Sequence, residues 1–305
     1  MKKHRRGKSL FSASHFKIVI VAILLLLCIS GFTLYKFVIF QTKTVVETSR
    51  NEMRKIPSDV KKELIKEVSN ATSSASFRVP ILMYHYVEYV QDKKDTIRQA
   101  LDVNPNTFEQ QVKTLLSAGF TFMTARELGD VIDGKSQLPK NPILLTFDDG
   151  HWDLDTVVLP ILKKYNVKAT AYIISGFIGK PDFMSQQQLQ EVINSGLIDV
   201  GAHTIHHVSL KGKLSSTVKS EVDQSKAMLE NNYHISVVSF AYPDGAFDQQ
   251  AINIVKEAGF STATSTIPGI EQSKENRFFL YRIRPGYKTG QILLNYLQQD
   301  KFRPY

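Results

Sequence analysis

Two adjacent carboxylates in Thr146-Phe147-Asp148-Asp149-Gly150 stand directly after the apolar run Pro142-Ile143-Leu144-Leu145. That run reads as a buried strand ended by a glycine turn. The carboxyl ends of strands are where α/β folds place their chemistry. Neighbouring residues at a strand end point in different directions, so Asp148 and Asp149 can take separate tasks. One can bind a metal while the other accepts a proton. A second cluster, His203-Thr204-Ile205-His206-His207, holds three of the chain's eight histidines and follows the strand-like Ile198-Asp199-Val200-Gly201. A helical turn there would set His203 and His207 on one face, with His206 as the alternative partner. Two imidazole nitrogens and one carboxylate oxygen leave a coordination position open. That is the ligand count of a catalytic zinc rather than a structural one.

A divalent metal on such a site lowers the pKa of a water to about 7 and polarises the carbonyl under attack. Asp148 can then take the proton of that water. An acid must protonate the departing amine, and the candidate is His85, in Tyr84-His85-Tyr86 at the end of another strand and so on the same rim. Phe240-Ala241-Tyr242-Pro243-Asp244-Gly245 is a strand running into a proline-glycine turn. Backbone N–H groups in the stretch Tyr242, Pro243 and Asp244 can stabilise an oxyanion. Trp152, just past the Asp-Asp-Gly turn, offers a face on which a sugar ring can stack.

Those side chains need a scaffold of alternating strands and helices. From residue 79 the pattern predicts strands over 80–84, 120–123, 142–145, 169–174, 198–201, 237–241, 260–264 and 279–283. Between and after them lie helices over 107–116, 125–132, 158–162, 186–194, 217–229, 249–257 and 291–298. In the first of these, Phe108, Val112, Leu115 and Leu116 share one face. This many βα units predicts an α/β domain with a parallel sheet, closed or nearly closed into an irregular (β/α) barrel.

The net charge of +9 suggests an anionic partner until its distribution is read. Six of the 38 basic residues (Lys2, Lys3, Arg5, Arg6, Lys8 and Lys17) precede residue 18, leaving 32 against 29 acidic residues. A nucleic-acid partner is therefore not expected. The run over 18–35 is uncharged and apolar, long enough to cross a bilayer. Positive charge before it predicts a cytoplasmic N-terminus, with everything beyond about residue 40 outside. A cleaved signal peptide is the alternative, but no small-residue cleavage site follows the apolar run. Cys28 is the single cysteine, so the exported part folds without disulfides. The expected organisation is a basic tail and transmembrane anchor over 1–40, a polar stalk over 41–77 and a catalytic domain over 78–305.

Over that last span the chain resembles the polysaccharide deacetylases of carbohydrate esterase family 4, the NodB homology domain. Thr146-Phe147-Asp148-Asp149-Gly150 matches the family's TFDDG motif at every position, and His203-Thr204-Ile205-His206-His207 matches H-[ST]-x-x-H. The resemblance implies Asp148 as general base and Asp149, His203 and His207 as metal ligands. Zinc is the default for this ligand set, with cobalt, manganese or nickel open on ligand type. Two features depart from the common pattern. Ala241-Tyr242-Pro243-Asp244-Gly245 lacks the arginine that orients the catalytic aspartate, a task open to Arg282 or Arg284. Ile292-Leu293-Leu294-Asn295 carries asparagine where the acid histidine would stand. Both departures are similar to the branch acting on the poly-N-acetylglucosamine of biofilms, where a Tyr-His motif opens the domain, which implies His85 as the acid.

The expectation is a membrane-anchored extracellular hydrolase of a bacterium, Gram-positive in type. It removes N-acetyl groups from N-acetylglucosamine in a cell-surface polymer, either the exopolymer or cell-wall peptidoglycan. The alternatives are an O-acetyl esterase on an acetylated glycan, and a catalytically weak carbohydrate-binding protein of the same fold.

Overall fold

The computed structural model describes residues 76–302 apart from position 93. The expected membrane anchor, and the stalk up to residue 75, lie outside the described residues. Among those described, no helix is long and apolar enough to cross a membrane.

In chain order the strands are β1 (Phe77–Arg78), β2 (Ile81–Tyr84), β3 (Thr121–Phe122), β4 (Pro142–Phe147), β5 (Ala169–Ile173), β6 (Ile198–Ala202), β7 (Ser239–Ala241), β8 (Thr262–Thr264) and β9 (Glu271–Gln272). The α-helices are α1 (Thr96–Leu101), α2 (Pro105–Ser117), α3 (Ala125–Ile132), α4 (Leu159–Tyr165), α5 (Gln186–Asn194), α6 (Ser215–Tyr233), α7 (Gln249–Glu257) and α8 (Gly290–Leu297). The main sheet runs β2-β4-β5-β6-β7-β8, all parallel, with β3 also paired to β4. Every residue of β4 and β5 is buried. Strands buried on both faces carry apolar residues at consecutive positions, as Ile143, Leu144 and Leu145 do, rather than alternating ones.

Local signals hold the helices in place. Thr124 with Glu127 and Ser185 with Gln188 form reciprocal capping boxes at the starts of α3 and α5. Asn104 caps α2 ahead of Pro105, whose missing N–H costs nothing in the first turn. Within α2, Gln111 accepts from the Tyr84 hydroxyl at 2.9 Å and donates to the carbonyls of Gly286 and Lys288. One buried amide thus ties the first barrel strand to the chain that follows residue 283.

Three expectations need correction. The stretch expected as a strand over 279–283 pairs only at isolated bridges, Thr264 with Leu280 and Leu82 with Ile283. Those two bridges nevertheless join β8 to β2, so this segment spans the open edge of a half-barrel. The 158–162 helix begins as a π turn, Leu154–Val158, before regular α4. Helix α1 has no counterpart in the sequence reading: none of its residues is buried, so it shows no apolar periodicity. In addition, Phe77 pairs with Gln272, which makes it part of the folded domain rather than of the stalk.

Candidate active site

The carboxyl ends of β2, β4, β6 and β7 converge on a cavity of about 690 Å³ lined by His85, Asp148, Asp149, His203, His207 and Tyr242, among others. The backbone at this rim is unusual. Of the positive-φ residues other than glycine, Asp149 (75°), Thr204 (62°), His207 (54°) and Asp244 (56°) all fall in these loops. Asp and His tolerate this region better than most residues, and such conformations concentrate where a site must aim its side chains.

Asp148 leaves β4 pointing inward and is 3% exposed. Both its oxygens accept hydrogen bonds from Arg282, Nη1 to Oδ1 and Nη2 to Oδ2, each at 2.7 Å. Arg282 is fully buried on the closing segment, where it also donates to the Ser265 carbonyl and the Thr146 hydroxyl. Burial alone would push the Asp148 carboxyl up, but the charge and paired hydrogen bonds of Arg282 hold it below the usual carboxylate range. Between the two arginines left open by the sequence, the guanidinium on Asp148 is that of Arg282. Arg284 lines the cavity two residues on.

Asp149 turns away from its neighbour through its left-handed backbone. Its Oδ1 lies 3.4 Å from His203 Nε2 and 3.3 Å from His207 Nε2, yet it is buried with no hydrogen-bond partner. One ligand atom from each of these three residues lies within 4.8 Å of the others. His203 donates from Nδ1 to the Ala241 carbonyl at 2.7 Å, which fixes its tautomer and aims the Nε2 lone pair at the cluster. A carboxylate oxygen short of a donor, facing two imidazole nitrogens, is the donor set a divalent cation completes. These residues fit the metal that the sequence led us to expect.

The two histidines are brought together without a helix. The chain from His203 to Leu210 is irregular, and the positive φ of Thr204 and His207 curls it so that the rings stand 5.0 Å apart. Gly176 donates to the Ile205 carbonyl behind this loop, and a Cβ on it would sit 2.5 Å from that oxygen. His206 is turned out of the cluster. Its Nδ1 is 2.8 Å from Glu221 of α6, whose other oxygen accepts from the N–H groups of Ile205 and His206. His207, not His206, faces Asp149.

His85 Nε2 lies 4.0 Å from Asp148 Oδ2. Burial lowers its pKa, against the pull of the two aspartates. In the Tyr242 to Asp244 stretch, the Tyr242 N–H is committed to the Thr264 carbonyl and Pro243 has none. The backbone donor left for an oxyanion is the N–H of Asp244. Trp152 does not line this cavity but an adjacent hollow. Sequence reasoning missed His151, whose Nε2 is 3.5 Å from Asp149 Oδ2 and whose ring stacks between Tyr86 and Phe183. Its position two residues past Asp149 was the available signal.

Residues 135–263 match the family model described as polysaccharide deacetylase. Over that span the chain resembles the polysaccharide deacetylases, as its two motifs led us to expect. YxkH of Bacillus subtilis, which carries a polysaccharide deacetylase name, is 28% identical over 226 residues, covering 73% of this chain and 77% of that protein. The poly-beta-1,6-N-acetyl-D-glucosamine N-deacetylase of Staphylococcus aureus is 28% identical over 194 residues, covering 59% of this chain and 67% of that one. The structure of the Streptococcus pyogenes deacetylase PplD in complex with acetate aligns with a TM-score of 0.67 at 27% identity. That alignment spans 74% of this chain and all of PplD. The parallel half-barrel is thus a fold shared with PplD, and the Asp149, His203 and His207 cluster falls on this chain's TFDDG-like and H-[ST]-x-x-H-like motifs.

Proposed function

We propose that this protein hydrolyses the N-acetyl group of N-acetylglucosamine units in a cell-surface polysaccharide, releasing acetate. The observation carrying the reading is the pairing of two unlike carboxylates in one cavity, Asp148 locked on Arg282 and Asp149 facing two histidines. The Staphylococcus aureus relative supports poly-N-acetylglucosamine over peptidoglycan as the polymer. In this proposal the apolar run over 18–35 anchors the domain to the outside of a bacterial membrane, Gram-positive in type, beside its polymer.

Asp149, His203 and His207 would hold the cation, zinc by default for this donor set. When bound it supplies Lewis acidity, acidifying a water and polarising the acetamide carbonyl. The rest falls to the chain. Asp148, kept ionised and oriented by Arg282, takes the proton from the attacking water. A carboxylate held below its usual pKa is a weak base, which suits a water already acidified. The N–H of Asp244 faces the charge that develops on the carbonyl oxygen. His85 is held neutral at rest by burial, so it relays a proton acquired during the cycle, with Asp148 only 4.0 Å away, to the departing nitrogen. The amide C–N bond breaks and a C–O bond to the water oxygen forms. Acetate and a free amine result, and the amine is positive at neutral pH.

The test is acetate release by the full-length protein with zinc, from poly-N-acetylglucosamine oligomers and from peptidoglycan, beside Asp148→Asn and His85→Ala. Release from the exopolymer, lost in both variants, is the expected result. Release from neither polymer, but from O-acetylated glycans, would replace the amide reading with an ester one.

A further inference from the structure

A second hollow, of about 790 Å³, backs onto the active-site cavity. Three pairs of consecutive residues divide the two: Ile97, His151 and Phe183 line the first, while Arg98, Trp152 and Asp182 line the second. Consecutive Cα atoms are about 3.8 Å apart, so a wall one residue thick separates the hollows. Its volume suits a small ligand rather than a protein segment. It also holds two of the large side chains most exposed near the site, Tyr89 at 55% and Trp152 at 38%. Exposed aromatics flanking a concavity mark a place where something flat and partly apolar is bound.

Negative charge predominates in this hollow. Glu88, Asp92, Asp95 and Asp182 line it against the single guanidinium of Arg98. Arg98 donates to Glu88 at 2.8 Å and stands farther from Asp95 (3.4 Å) and Asp182 (3.7 Å), so its attention is mostly on Glu88. Three carboxylates remain in excess around an aromatic pair. The complement of such a surface is a ring with an apolar face and a positive charge.

We infer that this hollow is a second saccharide subsite that takes a glucosamine unit, ring against Trp152 and Tyr89, ammonium among Asp92, Asp95 and Asp182. The inference rests on the deacetylase reading above, because a glucosamine unit is what that reaction leaves in the polymer. An acetylated unit is neutral and gains nothing from the carboxylates. The subsite therefore recognises the enzyme's own product on the same chain. With a freed unit seated there, a nearby acetylated unit of the same polymer is held at the catalytic cavity. Partly deacetylated polymer becomes the better substrate, and deacetylation clusters along the chain.

Trp152 is the chain's single tryptophan, so tryptophan fluorescence reports on this hollow alone. Full-length protein is titrated with glucosamine tetramer, and in the presence of chelator with N-acetylglucosamine tetramer. The expected result is a saturable change with the glucosamine tetramer and binding at least about tenfold weaker for the acetylated one, the size of one charge-assisted hydrogen bond. Asp95→Asn with Asp182→Asn keeps the fluorophore and should erase that preference, while leaving acetate release from the acetylated dimer unchanged. Tyr89→Ala, on an exposed side chain, should weaken both ligands. No fluorescence response to glucosamine oligomer, or equal affinity for the two, would overturn the subsite even where acetate release succeeds. A preference for glucosamine without acetate release from any polymer would leave the subsite standing and remove the catalytic reading instead.

Discussion

Asp148 receives two 2.7 Å hydrogen bonds from a fully buried arginine, whereas the next residue, Asp149, keeps a buried oxygen with no hydrogen-bond partner opposite two histidine nitrogens. The protein has completed one carboxylate with its own donors and left the other short. A buried carboxylate without a counter-charge is costly, so each arrangement states what must be present for the site to be at rest. For Asp148 the counter-charge is part of the chain. For Asp149 it would be the cation that its donor set with His203 and His207 fits.

The largest effect that would break this contrast comes from Asp149→Asn. It should abolish metal binding and reduce acetate release by about 10³-fold or more, as should chelation of the wild type. The metal-free protein should melt no lower than the wild type, because the substitution removes a buried charge and no donor to Oδ1 is lost. Metal content and thermal melts measure both, and an Asp149→Asn protein that retains stoichiometric metal would sink the assignment.

Asp148 should respond in the opposite way. Arg282→Met leaves its carboxylate buried without a partner and should cost roughly 3–5 kcal/mol of stability. Asp148→Asn should retain metal while turnover falls roughly 10²- to 10⁴-fold. Combining the two substitutions should restore much of the stability and none of the activity. If the double variant melts no higher than Arg282→Met alone, the ion pair is not what Arg282 contributes.

The smallest effect sharpens the comparison with a third aspartate. Asp153 accepts the N–H of Val87, two residues past His85, and burial pushes its carboxyl up to about 6. Because the folded pKa is raised, the folded state holds a proton that the unfolded chain has released between pH about 4 and about 6. Stability from this group therefore falls as pH rises through that window, by at most about 3 kcal/mol for a shift of about two units. Asp153→Asn keeps a hydrogen-bond acceptor and loses the titration, so its melting temperature should drop less than the wild type's between pH 5 and 7.5. Parallel curves would rule this out.

The contrast between the two aspartates was only half legible in the sequence. Asp148, Asp149, His203 and His207 sit in short motifs, where spacing and residue type suffice to nominate them. Helices α3, α5 and α7 were readable to the residue, because capping residues and apolar periodicity coincide there. Arg282 was one of two arginines with nothing to separate them, since its partner lies 134 residues away. His207 was preferred over His206 on the assumption of a helical turn. What selects it is an irregular loop with two left-handed residues and the Glu221 carboxylate that pulls His206 outward. Trp152 was assigned by its place after the motif, but a one-residue step crosses the wall into the second hollow. Helix α1, which forms part of that wall, buries none of its residues and so left no pattern to find.

The arginine that completes Asp148 lies on the segment bridging β8 back to β2. Synthesis runs from the N-terminus, so β4 and both histidines emerge long before residue 282 does. Until then Asp148 is an uncompensated charge in an unclosed sheet. A copy ending before Arg282 would keep both motifs and still lack the guanidinium that completes Asp148.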